Sequence, residues 1–374
     1  MLIVGASTRA AAASAVRARF SPICFDRFGD EDLRRFAEIV TVSDPLRDSL
    51  PAIQSLPPTP WIYTGPVEND PEFIRAICEK HPLMGNPSDI LAWVRDPFWL
   101  EQTLRAAGIP ALKNEPFDRP PPTDGRFLLK PRQSAGGQSI LSWRGQVLPT
   151  EESYFQERRF GRPLSALFVS NRDKTDLVGV CQQLIGPDFD SPWEFGYAGS
   201  IGCVPVSEQL RQSLLQIGEL IAERSGLRGL FGCDFIADSN EETPWLIEVN
   251  PRYTASVEIL ERATGRTLLA EHASACGHHM PSLPRATEGS LHNVFGKQIV
   301  FAKSDVIASD LTTLFDHEDN PIDQPLIADI PAIGSKIEMG GPICTVFAKA
   351  RDMASCQAEL SRRTKLVHLA IASR

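Results

Sequence analysis

The sequence predicts an α/β protein that begins with a parallel-sheet domain, continues into a two-lobed α+β domain and ends in a small β-rich domain. Three observations support this prediction. Short apolar runs alternate with helical patterns in the first part, a hairpin in the middle carries acidic residues on apolar strands, and the last part is mainly strand-like. Dividing the length of 374 residues by about 150 residues per domain predicts two to three domains.

The composition is that of a folded globular protein and excludes several classes. The chain has 38 Lys+Arg and 47 Asp+Glu, a formal charge of −9, which disfavours nucleic-acid partners. No apolar run approaches the roughly 20 residues of a membrane-spanning helix, and the run Met1–Ala6 has no basic leader before it. The 8 cysteines form no C-x-x-C pair, which is typical of reduced thiols. We therefore expect a cytoplasmic protein without a membrane partner.

The first 92 residues show a βαβαβ rhythm, which predicts a parallel sheet with its ligand side at the carboxyl ends of the strands. The predicted elements are, in chain order, strand Leu2–Val4, helix Arg9–Phe20, strand Ile23–Phe25, helix Glu31–Glu38, strand Ile39–Val42 and strand Trp61–Tyr63.

The loop Gly5–Arg9 closes the first strand, so its backbone amides could meet an anion. It lacks the G-x-G-x-x-G spacing of dinucleotide sites, and Asp26 fits a turn or a helix cap as well as a ribose ligand. We favour a plain α/β scaffold here over a dinucleotide site.

Later segments predict two further boundaries. A helix is expected over Ser88–Ala107, and the proline-rich stretch 115–125 is expected to lead into a small lobe. From about residue 285, strand-like runs, a hairpin at Gly340–Gly341 and a last helix over Asp352–Arg363 predict a third domain.

The first chemical feature is the strand Phe127–Pro131 followed by a polar loop. A Gly136–Gly137 pair lets backbone amides approach phosphate oxygens, and Lys130 at the end of the strand adds a fixed positive charge. The loop is not a Walker A loop, because no G-K-[ST] follows. Taken alone, it fits an ordinary hairpin tip at least as well.

The second feature is a hinge. A strand at Tyr154–Glu157 leads through Gly161–Arg162–Pro163 into the strand Ala166–Val169. Backbone groups and apolar walls at such a hinge could hold a flat base between two lobes. The alternative is a two-strand corner with a surface charge cluster.

The third feature is a hairpin formed by Gly229–Asp238 and Pro244–Arg252. Asp234 and Glu248 interrupt otherwise apolar strands, and Asn250 points to the same side as Glu248 because side chains alternate along a strand. Three oxygen-bearing side chains suit Mg²⁺. Arg252 is placed to reach the same phosphates. The alternative is a pair of core carboxylates neutralised by Lys or Arg.

The order of these features resembles the ATP-grasp superfamily, which includes biotin carboxylase and D-alanine ligase. The resemblance covers Trp93–Ala273, its most specific part is E-V-N-P-R at 248–252, and it is strongest to the carboligase-like branch related to biotin carboxylase. It implies a Rossmann-like pre-ATP-grasp domain over 1–92, an ATP-grasp domain over 93–284 with its small lobe at about 115–165, and a β-rich domain over 285–374.

The resemblance also implies roles for particular residues. ATP would be bound by residues of the strand, the loop and the hinge: Lys130, Arg132, Gly136, Gly137, Gln156, Glu157 and Ser165. Asp234, Glu248 and Asn250 would hold Mg²⁺ or Mn²⁺, and Lys130 and Arg252 would be catalytic. The substrate side would hold Arg252, Tyr253, Ser256 and Glu258.

Two positions depart from the pattern of the superfamily. Ser165 or a neighbour stands where relatives often have an acidic residue for the ribose, and Arg95 stands near the position of a nucleotide-contacting Lys. The aromatic loop Trp193–Ser200 either covers the acceptor or packs as an aromatic–glycine turn on the core.

The implied function is an ADP-forming ligase that activates a carboxylate as an acyl phosphate and joins it to an amine, in cofactor or small-metabolite biosynthesis. Its partners would be small molecules, with a homodimer as its assembly. The alternatives are a bicarbonate-activating carboxylase and a non-catalytic ATP-binding sensor. A zinc site at His272, Cys276, His278 and His279 is disfavoured by its spacing.

Overall fold

A computed structural model describes residues 1–43, 46–146, 152–238, 243–280, 293–315 and 324–372. The N-terminal part is a parallel sheet of order β3-β2-β1-β4. Its elements are β1 (Leu2–Val4), α1 (Arg9–Arg17), β2 (Ile23–Asp26), β3 (Glu38–Thr41), α2 (Leu50–Ser55), β4 (Trp61–Tyr63) and α3 (Pro71–Cys78). The predicted parallel sheet is thus confirmed, and the strands are buried apart from the edge strand β3.

The predicted helix Glu31–Glu38 is wrong, because only the short 3-10 turn Leu33–Arg35 forms there. The loop after β1 uses its amides inside the protein: Gly5 N donates to Phe25 O and Thr8 N donates to Asp26 Oδ2 at 2.6 Å. Asp26 also accepts from two backbone amides of the following turn. This loop is therefore a scaffold turn, in agreement with the favoured interpretation.

The helix expected over 88–107 is broken into α4 (Ser88–Val94) and α5 (Pro97–Ala106). Pro97 cannot donate a backbone hydrogen bond, and it stands at the first position of α5, where no donor is needed. Asp96 caps α5 by accepting from Phe98 N at 3.1 Å. The break leaves Arg95 between the two helices.

A small antiparallel sheet follows, of order β5-β8-β6-β7. Its strands are β5 (Asn114–Pro116), β6 (Phe127–Pro131), β7 (Leu141–Ser142) and β8 (Ser153–Glu157). Phe155 is fully buried in it and packs against Trp143 with ring centroids 4.9 Å apart. Lys130 is therefore fixed at the end of a packed strand.

A large sheet forms the rest of the fold. Among the described residues, its strands have the order β13-β12-β9-β10-β11-β14-β18-β16. The strands are β9 (Arg162–Ser170), β10 (Thr175–Ile185), β11 (Tyr197–Gly202), β12 (Gly229–Ala237), β13 (Pro244–Asn250), β14 (Val294–Phe301), β16 (Ile327–Ala328) and β18 (Pro342–Ala350). The sheet continues through the predicted middle and last domains, because β11 pairs with β14.

Helices cover the large sheet on its two faces. They are α6 (Glu208–Ser225), α7 (Ala255–Thr264), α8 (Leu268–Ala275) and α9 (Met353–Ala372). α6 begins where Ser207 accepts from Leu210 N at 3.1 Å and ends at Gly226 in the left-handed conformation, the two standard helix caps. α7 starts at Ala255, shortly after the E-V-N-P-R segment at 248–252, so its first turn lies beside the hairpin formed by β12 and β13.

The predicted hairpin at Gly340–Gly341 is wrong in its pairing. The strand before it, β17 (Lys336–Ile337), pairs with β15 (Val306–Ile307), whereas β18 pairs with β14 and β16. The last helix extends beyond its expected end at Arg363. The domain boundary predicted at 284/285 lies outside the described residues. In the ranges that the structure describes, no helix has the length and hydropathy to cross a membrane.

Candidate active site

A cavity of about 440 Å³ lies between the small sheet and the large one. This volume is in the usual range for a small-molecule site. Ten of the predicted site residues line it: Lys130, Gly136, Gly137, Glu157, Ser165, Asp234, Glu248, Asn250, Arg252 and Ser256. The fold therefore brings the strand–loop feature, the hinge and the acidic hairpin, which are far apart in sequence, to one place.

The acidic hairpin places its side chains as the strand alternation predicts. Asp234 on β12 pairs directly with Glu248 on β13. The amide nitrogen of Asn250 donates to Asp234 Oδ2 at 3.2 Å and to Glu248 Oε1 at 3.4 Å. Three oxygen-bearing side chains thus converge at the end of one hairpin.

The two carboxylates have opposite pKa shifts. Burial and the charge of Glu248 raise the pKa of Asp234 to about 7. Burial also opposes ionisation of Glu248, but the positive charges of Lys130 and Arg95, together with hydrogen bonds from Asp234 and Asn250, hold the pKa of Glu248 below its ordinary value. Two buried carboxylates this close repel each other, and a cation between them would relieve that repulsion.

These residues fit a hard divalent cation. Carboxylate and amide oxygens are its preferred ligands, and such an ion would relieve the repulsion that raises the pKa of Asp234. The set holds two carboxylates rather than three: no group of three His, Cys, Asp or Glu side chains in a metal-binding arrangement occurs in the described part of the chain. A cation bound here would therefore take further ligands from Asn250 and from a bound phosphate.

Lys130 is almost completely buried on β6, and its Nζ donates to Gln156 Oε1 at 3.1 Å. Burial opposes its charge, but Tyr154, Glu248 and Asp234 act in the other direction and raise the pKa of Lys130 above its ordinary value. Lys130 is therefore a permanent cation that faces the acidic hairpin.

The Gly-rich loop rests against the aromatic loop of the large lobe. Gly136 O accepts from Tyr197 N at 2.9 Å. Gly137 has a φ of +74°, and a Cβ at this position would lie 2.0 Å from Phe195 O. Glycine at 137 is thus required both by the backbone conformation and by the close approach of the two loops. Phe195, Tyr197 and Ser200 line the cavity.

The hinge residues divide between the cavity and the protein interior. Glu157 and the following turn 158–161 line the cavity. Gln156, by contrast, is buried and its amide nitrogen donates to Asn114 Oδ1 and Ile247 O. Gln156 thus supports Lys130 from behind and does not line the cavity.

Three other predicted residues also lie elsewhere. Tyr253 is buried and donates to Ala10 O of α1 at 3.1 Å. Glu258 is buried, with Oε1 2.5 Å from Arg9 Nη1 and Oε2 3.4 Å from Lys297 Nζ. Arg132 lies over the ring of Phe98, 5.3 Å from its centroid. The first two positions hold domains together, since their partners come from other parts of the fold.

Sequence reasoning missed several residues of the site. Gln183 lines the cavity and donates to Asp234 Oδ1 at 3.0 Å. Thr254 lines it next to Ser256, and their hydroxyls are 2.9 Å apart. Glu68, in a turn of the N-terminal domain, accepts from Arg252 Nε at 2.6 Å. Isolated polar residues such as these belong to no sequence motif, so only their contacts in the folded structure show that they belong to the site.

The disfavoured zinc cluster is not assembled. His272 is buried, where Nδ1 accepts from Leu230 N at 2.8 Å and Nε2 contacts Met84 O at 2.8 Å. Burial lowers the pKa of His272 to about 4, so this side chain is neutral. His279 is exposed on the following loop. His272 is a structural side chain that joins α8 to the sheet.

Comparison with known proteins agrees with this geometry. Residues 94–256 match the family model of the ATP-grasp domain. Residues 94–256 therefore form an ATP-grasp domain, as the sequence predicted, and the α/β fold class is confirmed. It is 31% identical over 231 residues to an uncharacterized protein, MJ0776, of Methanocaldococcus jannaschii; the match covers 59% of this chain and 50% of that protein. The chain thus spans about half the length of this curated relative.

Solved structures share the fold over nearly the whole chain. An L-amino acid ligase from Bacillus licheniformis superposes with a TM-score of 0.70 at 14% identity, covering 97% of this chain and 96% of that one. N5-carboxyaminoimidazole ribonucleotide synthetase from Thermus thermophilus gives 0.67 at 16%, covering 98% of each. A biotin carboxylase from Campylobacter jejuni gives 0.68 at 13%, covering 96% and 89%. At these identities the likeness shows the fold alone.

Proposed function

We propose that this protein is an ADP-forming ligase that uses ATP and Mg²⁺, or Mn²⁺, to activate a carboxylate as an acyl phosphate and join it to an amine. The observation that carries the proposal is the convergence of Lys130, Arg252 and the Asp234–Glu248–Asn250 set on one cavity beneath a Gly-rich loop. This is the arrangement that a triphosphate with a divalent cation requires.

The nucleotide would lie along the cavity from the hinge to the hairpin. The base would sit against the backbone of the hinge at Glu157 and the apolar side chains Leu128 and Ile247, which line the same cavity. The phosphates would reach Lys130 and the amides of Gly136–Gly137, and Ser165 would lie between these two ends.

Asp234, Glu248 and Asn250 would hold the metal ion, which when bound neutralises the negative charge of the phosphates. The rest of the chemistry needs positioning rather than a protein nucleophile. A carboxylate oxygen of the substrate attacks the γ-phosphorus and ADP leaves, while Lys130 and Arg252 stabilise the transferred group. An amine then attacks the acyl carbon, and inorganic phosphate and a proton are released.

A second candidate function is the bicarbonate-activating carboxylase, which the E-V-N-P-R segment at 248–252 also resembles. The biotin carboxylase domain of 2-oxoglutarate carboxylase from Hydrogenobacter thermophilus, in complex with MgADP and bicarbonate, matches with a TM-score of 0.69 over 94% of this chain. The same cavity would then activate bicarbonate to carboxyphosphate. The carbon nucleophile or amine acceptor would have to come from a partner or a second substrate.

The test is ADP release by the purified protein with Mg²⁺-ATP, against a panel of carboxylates with and without amino acids and small amines. A separate arm supplies bicarbonate. ADP formation that needs both a carboxylate and an amine would support the ligase, and ADP formation with bicarbonate alone would favour the carboxylase. Nucleotide binding without ADP release in any arm would contradict both and favour a non-catalytic binder.

The roles of the hairpin residues are tested by Glu248→Gln. Its loss of one negative charge should abolish turnover and weaken nucleotide binding only where binding depends on Mg²⁺. Glu208→Gln, on the exposed first turn of α6, is the matched control. Full activity of Glu248→Gln would rule out the metal assignment.

A further inference from the structure

A short turn of the N-terminal domain, Val67–Asn69, reaches the site that the other domains build. The side chain of Glu68 is 1% exposed, and its Oε1 lies 2.6 Å from Arg252 Nε and 3.6 Å from Arg95 Nη1. One buried carboxylate oxygen therefore lies between two guanidinium groups. Its other oxygen, Oε2, has no hydrogen-bond partner among the described residues.

The two arginines are more exposed than the carboxylate behind them. Arg252 lines the cavity, and the side chains of Arg252 and Arg95 are 15% and 19% exposed. The charge of Arg95 is also among the causes that lower the pKa of Glu248. Both cations therefore lie near the acidic hairpin, with Glu68 on the side away from solvent.

Arg252 is held on each of its nitrogens. Besides Nε on Glu68, Nη1 donates to Tyr253 O at 3.1 Å and Nη2 donates to Asn250 Oδ1 at 3.3 Å. A Cβ at Gly65 would lie 3.0 Å from Nη2, so glycine leaves the room that this guanidinium occupies. The direction of the guanidinium plane is thus fixed by the N-terminal domain as much as by its own strand.

The next residue of the turn extends the connection to the Gly-rich loop. Asn69 Oδ1 accepts from Arg95 Nη2 at 2.5 Å, and Asn69 Nδ2 donates to Ser134 O at 3.4 Å. Ser134 lines the cavity two residues before Gly136. The turn therefore contacts the Gly-rich loop and both arginines.

We infer that Glu68 is a positioning residue that fixes Arg252, together with Arg95, against the γ-phosphate of the bound nucleotide. The inference rests on the proposed nucleotide site. Glu68 acts through the arginines and does not contact the nucleotide itself. Losing its oxygen leaves Arg252 Nε buried without an acceptor, and the guanidinium is then free to turn away from the phosphate.

The test separates orientation from charge. Dissociation constants are measured by calorimetry for Mg²⁺ with ADP and with the non-hydrolysable analogue AMP-PNP, which keeps three phosphate groups. Glu68→Ala removes both the acceptor and the charge, whereas Glu68→Gln keeps an oxygen acceptor and removes only the charge. Glu72→Ala is the control, because Glu72 lies on the following helix with a side chain that is 65% exposed.

We expect Glu68→Ala to weaken AMP-PNP binding about tenfold relative to ADP binding, and Glu68→Gln and Glu72→Ala to stay within about threefold of wild type. Tighter AMP-PNP binding in both Glu68 variants would overturn the inference, since Glu68 would then act only by cancelling positive charge. Equal losses for the two nucleotides would overturn it too and indicate a structural role. If the wild-type protein binds neither nucleotide, the proposed function itself is contradicted.

Discussion

Asp30 lies at the junction between the N-terminal sheet and the segment after β16, and its burial makes stability depend on pH. It is 4% exposed, and its Oδ2 has no hydrogen-bond partner among the described residues. Burial, together with the charges of Asp329, Asp32 and Asp26, raises the pKa of Asp30 to about 9 despite the nearby Arg9. Asp30 is therefore protonated in the folded protein at neutral pH.

The sign of the effect follows from proton counting. The folded state keeps the proton of Asp30 up to about pH 9, whereas the unfolded chain releases it near the ordinary value of 3.8. The unfolded state thus binds fewer protons in this window, and stability falls as the pH rises. One proton corresponds to a loss of at most about 1.4 kcal/mol per pH unit. Between about pH 5 and pH 8 the loss is therefore at most about 4 kcal/mol.

The substitution Asp30→Asn keeps the shape of the side chain and removes the proton. We expect its free energy of unfolding, measured in urea at about pH 5, 6.5 and 8, to fall less steeply with pH than that of wild type. The variant should gain on wild type toward alkaline pH. Glu31→Gln, whose side chain is 42% exposed on the neighbouring position, is the control and should follow wild type. Parallel curves for Asp30→Asn and wild type would refute the reasoning.

Two further predictions concern the site. Gly137→Ala should weaken nucleotide binding at least about tenfold in calorimetry, because the new Cβ would meet Phe195 O at a residue with positive φ. Gly334→Ala is the control, since Gly334 also has a positive φ but open space around its Cβ, and it should not weaken binding. Unchanged binding by Gly137→Ala would exclude the Gly-rich loop from the site. The affinity for Mg²⁺ should rise about tenfold from about pH 6 to pH 8, because the pKa of Asp234 is raised to about 7 and its carboxyl group must lose its proton to bind the ion. An Mg²⁺ affinity that does not change with pH would contradict this prediction.

Local sequence was sufficient for those parts of the site that lie within one or two adjacent strands. The pairing of Asp234 with Glu248, and the placement of Asn250 beside them, follow from strand alternation in a hairpin with a short connection. The parallel sheet at the N-terminus was equally predictable, because its strands are short apolar runs separated by helical patterns. The break between α4 and α5 also has a local signal, since Pro97 cannot continue a helix that begins before it.

Tertiary structure alone decided which isolated side chains join the site. Tyr253 and Glu258 lie one and six residues after the E-V-N-P-R segment, yet Tyr253 donates to Ala10 O of α1 and Glu258 pairs with Arg9. Glu258 can do so because α7 presents different sides to the cavity and to the N-terminal domain. Glu68 lies 184 residues from Arg252 along the chain and meets it only through the packing of two domains. Periodicity and motif spacing relate residues that are close in sequence. They therefore could not predict that the carboxylate of Glu68, in a distant turn, contacts Arg252.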